Sequence, residues 1–594
     1  MNVLSVSGKS WILKKYNQAD ITHLKDNFFL DEITSKLLSI RKIKKEDINS
    51  FLNPSIKNFL PNPNNLIDME KSTLRTMSAI IKNEKIGIFG DYDVDGATST
   101  ALLGKYFSEL NLQYEIYIPD RKKEGYGPSI KSFEYFIKKK IKIIFTVDCG
   151  TLSFEAIDYA AKNKIDVIIL DHHQSEINLP KAFSVVNPNR LDDKSNLQYL
   201  CAAGVTFMFL VSMNRILRDK KWFMINKINE PDLINYLDLV SLGTVCDVVP
   251  LIGLNRALVK QGLKILKFKK NLGLKTLIDI CKIETIPSIY HLGYMIGPRI
   301  NAGGRVGKCS HGANLLLDTD PKHAFKLATE LDQYNKERQM LEKDLLQKIL
   351  NQAKNYLGDP VLVLSGDNWH EGVIGIVAAR LKDKFNKPVI IISVENGIGK
   401  ASARSIIGFD IGSVIIAATQ EKILIKGGGH KMAGGFSIKI ENIKIFKDFV
   451  LRKFKNVNED LISEKPLYLD SVISSSALNL EFYNKVNLLA PFGSGNPEPK
   501  FIIENLKTVN GKIVGEKHVK SILIGKDGAS IKTIAFNALD NNLSAYLLTK
   551  NNKSFNIAGK LSLNEWKGQS NVEFIIDDIS VNKTLKNTVP SSIG

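Results

Sequence analysis

Between residues 85 and 173, short apolar runs alternate with helix-patterned segments, and that alternation narrows the chain to one kind of architecture. KIGIFG, YEIYIPD, IKIIFTVDCG and DVIILDHH each read as a strand, while ATSTALLGKYFSEL, KSFEYFIKKK and FEAIDYAAKNK carry helical apolar spacing. Strands separated by helices pair in parallel, with helices covering both faces of the sheet. The strand runs are almost continuously apolar, as burial on both faces requires. The fold class is therefore α/β.

A second α/β segment starts at Pro360, with VLVLSG and PVIIISV flanking the helical GIVAARLKDKF. Between the two lobes Ala324, Leu327, Leu331, Tyr334, Leu341, Leu345 and Ile349 recur at helical spacing, so 321–357 reads as one connecting helix of about 55 Å. Beyond residue 465 five short β-patterned runs suggest a small, OB-like barrel. Upstream, LDEITSKLLSIRKIKKEDINSFLNP is helix-patterned as far as Pro54, and NPSIKNFLPNPNN reads as a linker. The expected organisation is an N-terminal helical extension over 1–69, an α/β catalytic lobe over 70–318 and a connecting helix over 319–357. A second lobe over 358–458, a barrel over 459–582 and a polar tail over 583–594 complete it.

The 594 residues carry a net charge of +19, which favours a polyanionic partner, nucleic acid first. A Lys-rich genome composition would give the same number. The five cysteines are scattered without a CxxC pair, which argues against a disulfide framework and a zinc ribbon and for a reducing compartment. The opening MNVLSVSGKSWILKKY lacks the apolar core of a secretory signal, and the longest apolar stretch, Val205 to Met213, is too short to span a bilayer. The expectation is a soluble, cytoplasmic protein with no membrane partner.

The residues that can do chemistry cluster at the strand ends. Asp91, Asp93 and Asp95 come directly after KIGIFG, Asp148 after IIFTV, and Asp171, His172 and His173 after DVIIL. In an open parallel sheet the carboxyl edge is where ligands bind. Asp247, in SLGTVCDVVPL, ends a further apolar run and could join them. Any one Asp at a strand end is explained by helix N-capping. Three Asp/His clusters at corresponding edges are not, because bare carboxylates in a confined site repel. Two divalent cations resolve the repulsion. Carboxylates with imidazole suit Mn²⁺ or Mg²⁺ better than a thiolate-type zinc site. Two ions about 3.5–4 Å apart can activate water and clamp an in-line phosphoryl displacement.

DVDGAT also resembles the DxDGT nucleophile loop of haloacid-dehalogenase phosphatases. Ala97 stands where that pattern has Thr, and a DHH triplet replaces the later Asp pair. Three functions remain open on these residues: a nuclease, a phosphodiesterase or pyrophosphatase for small substrates, and a non-enzymatic nucleic-acid scaffold. The third domain and the positive charge favour the first over the second. The complete Asp/His set disfavours the third.

GDYDVDG, TVDCG, LDHHQ and GTVCDVVPL together resemble the motifs of the DHH phosphoesterase superfamily. WHEGVIGIVAARL, KASARS and GGGHKMAGGF resemble its DHHA1 domain, and PFGSGNPEPKF resembles the start of the OB-fold found in the superfamily's single-stranded-DNA exonucleases. The resemblance covers about residues 70 to 580. It implies two α/β lobes, a barrel and a 5′→3′ exonuclease acting on single-stranded DNA in repair and recombination. It also implies a monomer that works with a single-strand-binding protein and a helicase. Asp93, Asp95, Asp148, His172 and Asp247 take the ligand positions for two Mn²⁺ or Mg²⁺ ions, with Asp148 bridging. Asp91 belongs to the same motif, His173 contacts the scissile phosphate, and Asp171 orients the neighbouring histidine. Arg121, Ser402 and Arg404 match residues that hold a terminal 5′ phosphate. Arg299, Asn301 and Arg305 of PRINAGGRVG are suited to further phosphate contacts, and His430 to substrate contact or to a structural role; taken singly, each Arg could equally be a surface ion pair.

Overall fold

The computed structural model describes residues 5–455, 465–548, 554–566 and 569–581. The chain forms two compact units. One runs from Pro54 to Lys455 together with Gly493–Asn496; the other joins the described residues before Pro54 to 465–492 and those from Pro497 onward.

The larger unit opens with the parallel sheet expected from the apolar runs. Its order is Tyr114–Tyr117, Ile86–Gly90, Ile143–Val147, Asp166–Leu170 and Ser184–Val186, every neighbouring pair parallel. The first of these strands in sequence is second in the sheet, so connections leave it in opposite directions. That reversal creates a crevice at the carboxyl edge between Ile86–Gly90 and Ile143–Val147. The Val94–Glu109 helix begins in the crevice and is buried along nearly its whole length. Its first turn sits so close to the preceding strand that a Cβ on Gly96 would lie 2.5 Å from the Asp91 carbonyl oxygen, which only glycine tolerates.

The connecting helix, Pro321–Ala353, starts with Pro at its first position and an Asp320 cap, both ordinary N-terminal signals. At 33 residues it is about 50 Å long. Ala324, Leu327, Ala328 and Leu331 pack into the catalytic core, whereas Leu345, Ile349 and Ala353 pack into the core of the second lobe. One continuous helix thus belongs to two hydrophobic cores. At its middle, buried Arg338 donates to Glu342 at 2.6 Å and to Asn335 at 2.6 Å, and Glu342 also pairs with Arg380 on the Glu371–Phe385 helix.

The second lobe is a mixed sheet ordered Lys426–His430, Ala433–Lys439, Ile398–Arg404, Val389–Glu395, Leu362–Asp367, with only the last pair parallel. KASARS is thus a strand, and GGGHKMAGGF is a hairpin at the sheet edge.

In the smaller unit, Phe501–Val514, His518–Ile524, Ser530–Ala535, Gln569–Ser580 and Phe555–Trp566 follow one another in the sheet, and the last pairs back onto the first. The result is a closed five-stranded barrel, as the β-patterned runs suggested. Residues 1–69 divide between the units: Ser10–Leu13 pairs in parallel with Pro466–Leu469, and Met69–Ile81 packs in the catalytic lobe. The linker reading of NPSIKNFLPNPNN meets two short helical turns, Ile56–Phe59 and Pro63–Asn65. The tail expected over 583–594 lies outside the described residues. Among the described residues, no helix is long and apolar enough to cross a membrane.

Candidate active site

The strand-end acids converge. His172 Nε2 lies 3.3 Å from Asp148 Oδ1, 3.6 Å from Asp247 Oδ2 and 3.7 Å from Asp95 Oδ2. Three donor sets each gather within 4.8 Å: Asp91, Asp93 and Asp148; Asp95, His172 and Asp247; and Asp148, His172 and His173. Asp148 and His172 are common to more than one set, so the donors form two adjoining clusters. Asp247 reaches the site from a helix, as the C-cap of Leu237–Cys246, and not from a strand.

Each carboxylate is fixed by identifiable contacts. Asp93 is the N-cap of the Val94–Glu109 helix and accepts from the Gly96 amide at 3.0 Å. Asp95 accepts from Ala202 and Ala203, the first amides of the Ala202–Asp219 helix, at 2.6 and 2.9 Å. That helix end presents partial positive charge to the carboxylate. Asp148 holds a left-handed backbone conformation at φ 61°. Such a conformation carries strain that surrounding contacts must hold; here the Tyr126 hydroxyl donates to the Asp148 carbonyl at 2.9 Å.

Asp171 belongs to none of the three donor sets. It accepts from the amides of His172 and His173, from Thr151 and from the His173 ring, whose Nδ1 is 2.7 Å away. Burial raises the Asp171 carboxyl, but the His173 hydrogen bond, the charges of His173 and His172 and the Thr151 hydroxyl together outweigh it and hold the group below the usual carboxylate range. Burial likewise lowers His173, and the Asp171 hydrogen bond together with the charges of Asp171, Asp247 and Asp95 overrides it, placing the imidazole at about 9. Burial keeps His172 below its ordinary value, hence neutral and able to donate a lone pair.

The other acids behave in the opposite way. Burial first, then neighbouring carboxylates, pushes Asp91 and Asp148 well above the normal range, and Asp247 up to about 8. Asp91 Oδ1, Asp148 Oδ1 and His172 Nε2 are buried with no hydrogen-bond partner. Buried polar atoms without partners are rare and ask for an explanation. An oxygen-rich set with one neutral imidazole fits divalent cations of the Mn²⁺ or Mg²⁺ type.

The cation-free fold should therefore be proton-loaded. A carboxyl whose pKa is raised on folding stabilises the fold fully below its unfolded value, about 3.9, and loses that contribution as pH rises through its folded value, here about 8 for Asp247. The Tm of chelator-treated protein should fall as pH rises through that window. Adding Mn²⁺ near neutrality should release protons, so the calorimetric binding enthalpy should vary with the ionisation enthalpy of the buffer. A buffer-independent enthalpy would contradict the proton loading.

Beside the acidic clusters lies their electrostatic counterpart. A cavity of about 630 Å³ is lined by Arg121, Lys122, Arg305, Lys400, Ser402 and Arg404, among others. Burial and then the nearby Arg121, Arg338 and Arg404 lower Arg305 to about 10. Arg404 is lowered by burial too, and its guanidinium donates only to the Ser402 hydroxyl and the Ala403 carbonyl. Glu371 lines the cavity too and pairs with Lys400 at 2.8 Å, but no ion pair to a carboxylate engages Arg305 or Arg404 among the described residues, and crowded, half-buried guanidiniums of that kind invite an anion, as crowded carboxylates invite cations.

Not every expected contact faces this cleft. Arg299 is engaged by Asp332 at 2.9 Å and by the Met295 carbonyl at 2.7 Å. Asn301 is half-buried on the same helix as Arg305. His430 is exposed on the edge hairpin and accepts from the Met432 amide. Trp369 packs against the second lobe's core, and His370 caps the Glu371–Phe385 helix with Nε2 3.3 Å from Lys122 Nζ. Sequence reasoning passed over Asn187, which follows the Ser184–Val186 strand and donates to Thr151 and the His173 carbonyl. The strand-end rule applied to SVVN would have found it. Tyr126 was missed as well; its hydroxyl is 3.2 Å from the His173 ring.

Comparison with known proteins agrees with this fold. The model of the DHH family, N-terminal domain, matches residues 85–244, the DHHA1 domain matches 342–456, and the RecJ OB domain matches 469–578. Fold and site together define a DHH protein with a DHHA1 domain. The single-stranded-DNA-specific exonuclease RecJ of Haemophilus influenzae is 33% identical over 547 residues, covering 89% of this chain and 93% of that protein. The Escherichia coli RecJ is 32% identical over 545 residues, covering 89% and 92%. The crystal structure of RecJ in complex with Mn²⁺ from Thermus thermophilus superposes with a TM-score of 0.80 at 27% identity, covering 97% of this chain and 80% of that one. The chain belongs to the RecJ family of single-stranded-DNA-specific exonucleases.

Proposed function

We propose that this chain hydrolyses single-stranded DNA from its 5′ end, one phosphodiester at a time, with two divalent cations in the acidic clusters. The observation that carries the reading is the adjacency of two opposite charge imbalances: buried carboxylate oxygens of Asp91 and Asp148 without hydrogen-bond partners, beside a cavity lined by Arg121, Arg305 and Arg404. A phosphodiester strand brings the anions the second needs to the cations the first would hold.

Asp93, Asp95, Asp148, His172 and Asp247 would hold the ions, with Asp148 shared and Asp91 supporting them. When bound, such a pair supplies Lewis acidity toward a phosphoryl oxygen and makes water a stronger nucleophile. Asp171 fixes the His173 ring, and His173, protonated at neutral pH, offers N–H to the scissile phosphate as negative charge develops there. Arg121, Ser402 and Arg404 seat the terminal 5′ phosphate, and Arg305 holds the strand between the two places. Lys122 lines the same cavity and adds charge without fork geometry, whereas Lys400 there is paired with Glu371. We place the reaction in cytoplasmic DNA repair and recombination, carried out by a monomer alongside a single-strand-binding protein and a helicase.

Digestion of end-labelled single strands with the metal varied tests this directly. Mononucleotides should be released from the 5′ end only with Mn²⁺ or Mg²⁺; release from the 3′ end, or activity in chelator, would refute it. Arg404→Ala should cut the preference for a phosphorylated over a hydroxyl 5′ end by about 10-fold or more, as expected for loss of a charge-assisted hydrogen bond. Equal losses on both ends would remove Arg404 from phosphate recognition.

A further inference from the structure

The helix that carries Arg305 begins with a feature the reaction does not use. Before Gly297–Val306 the backbone makes a π-helical turn over His291–Ile296. Tyr290 and Tyr294 stack there, ring centroids 5.2 Å apart and planes within 27°. They are 60% and 73% exposed. Neither hydroxyl has a hydrogen-bond partner among the described residues. Large aromatic rings normally bury their faces, and two stacked in water form an apolar surface with nothing upon it.

Their place on the helix is not arbitrary. Leu292, Ile296 and Ile300 face the core, and the Leu292 carbonyl and Gly297 pack on Cys246, the residue before Asp247. The outward stripe, at helical spacings of four, three and four, runs Tyr294, Pro298, Asn301, Arg305. It begins at the exposed rings and ends at the guanidinium lining the cationic cavity. From Tyr294 to Arg305 is about 16 Å along the axis. A chain of phosphates seated at Arg305 and passing Asn301 therefore brings its bases to the tyrosines within a few nucleotides.

We propose that Tyr290 and Tyr294 form a stacking platform for unpaired bases, a nucleotide subsite a few positions from the held 5′ end. The proposal rests on the exonuclease reading above and names where the strand runs. Every base has a flat π-face, so the platform accepts any sequence. A paired base in a duplex has both faces already stacked on its neighbours and cannot lie on it. The platform thus contributes to single-strand selectivity as well as to affinity.

The test compares a long 5′-phosphorylated single strand with a 5′-phosphorylated dinucleotide, which is too short to reach the rings. In the unaltered protein the long strand should have the lower KM. Tyr294→Ala should reduce that advantage about tenfold, the Tyr290→Ala/Tyr294→Ala variant further, and Tyr294→Phe should restore it, since the ring and not the hydroxyl stacks. With 2-aminopurine placed at each position of the strand in turn, an internal position should show quenching in the Asp148→Asn protein that disappears when Tyr294→Ala is added. An undiminished long-strand advantage in the double variant would overturn the platform. So would a change confined to oligomeric state, measured by sedimentation, which would assign the rings to a protein contact. If the unaltered protein digests no single strand at all, the exonuclease reading has failed instead, and the two failures are thereby separate.

Discussion

Asp148→Asn should lower kcat on single-stranded DNA by at least about 10³-fold while leaving strand binding intact. The carboxylate stands between both donor clusters, with one oxygen free of any hydrogen bond and 3.3 Å from His172 Nε2. A shared anionic ligand supports the charge stabilisation of both ions, an effect of several kcal/mol, and each 1.36 kcal/mol is tenfold in rate. The guanidiniums lining the cationic cavity belong to other elements and are untouched by the change. The same substitution has an opposite effect on stability without metal. Asp148 is ionised only against burial and the charges of Asp93, Asp95 and Asp91. A neutral amide removes that repulsion, so Tm of the chelated protein should rise or hold. Saturating Mn²⁺ should raise Tm of the unaltered protein by mass action and that of the variant much less. Retained turnover, or an undiminished Mn²⁺ shift, would remove Asp148 from the bridging position.

Much of this geometry could be read from the sequence because the sheet is parallel. In such a sheet every strand ends at the same edge, so Asp91, Asp148 and Asp171, some 80 residues apart at the extremes, needed only correct strand assignments to be brought together. Asn187 obeys the same rule but follows a strand of only three residues, too short to carry a periodic signal. Asp247 sits at the end of an apolar run that proved helical; a buried helix and a buried strand of that length look alike by hydrophobicity alone. Contacts from other elements left no local trace. Nothing near Arg299 indicates that Asp332, on the connecting helix, will engage it. Tyr126 lies in the loop RKKEGYG, where no period exists to place a side chain. The pairing of Ser10–Leu13 with Pro466–Leu469 spans most of the chain, beyond what local pattern can specify. What sequence supplied was position along elements; what it lacked was the partner each side chain meets.

His173→Gln is the complementary case, because it should separate cation binding from turnover. His173 Nδ1 is held 2.7 Å from Asp171, and the Tyr126 hydroxyl lies 3.2 Å from the same nitrogen, so the ring is oriented by groups that are not in the donor clusters around Asp95 and Asp91. His172, its neighbour, carries the unpartnered nitrogen that faces three carboxylates. On the proposed reading the two adjacent imidazoles divide the work: His172, facing three carboxylates, would hold a cation, and His173, tied to Asp171, would meet the phosphate. Loss of one preorganised donor at a developing negative charge lowers kcat by about 10²–10³-fold. His173→Gln should fall in that range with its Mn²⁺-induced Tm shift preserved, whereas His172→Gln should lose both. Asp171→Asn should fall between, by about 10–100-fold, since it leaves the ring present but misaligned. Its defect should appear in kcat and not in KM for the strand, because Asp171 touches His173 and Thr151, not the cationic cavity. If His173→Gln instead abolished the Mn²⁺ shift, His173 would belong to the cation site, and the developing charge on the phosphate would have to be met by Arg121 or Arg305.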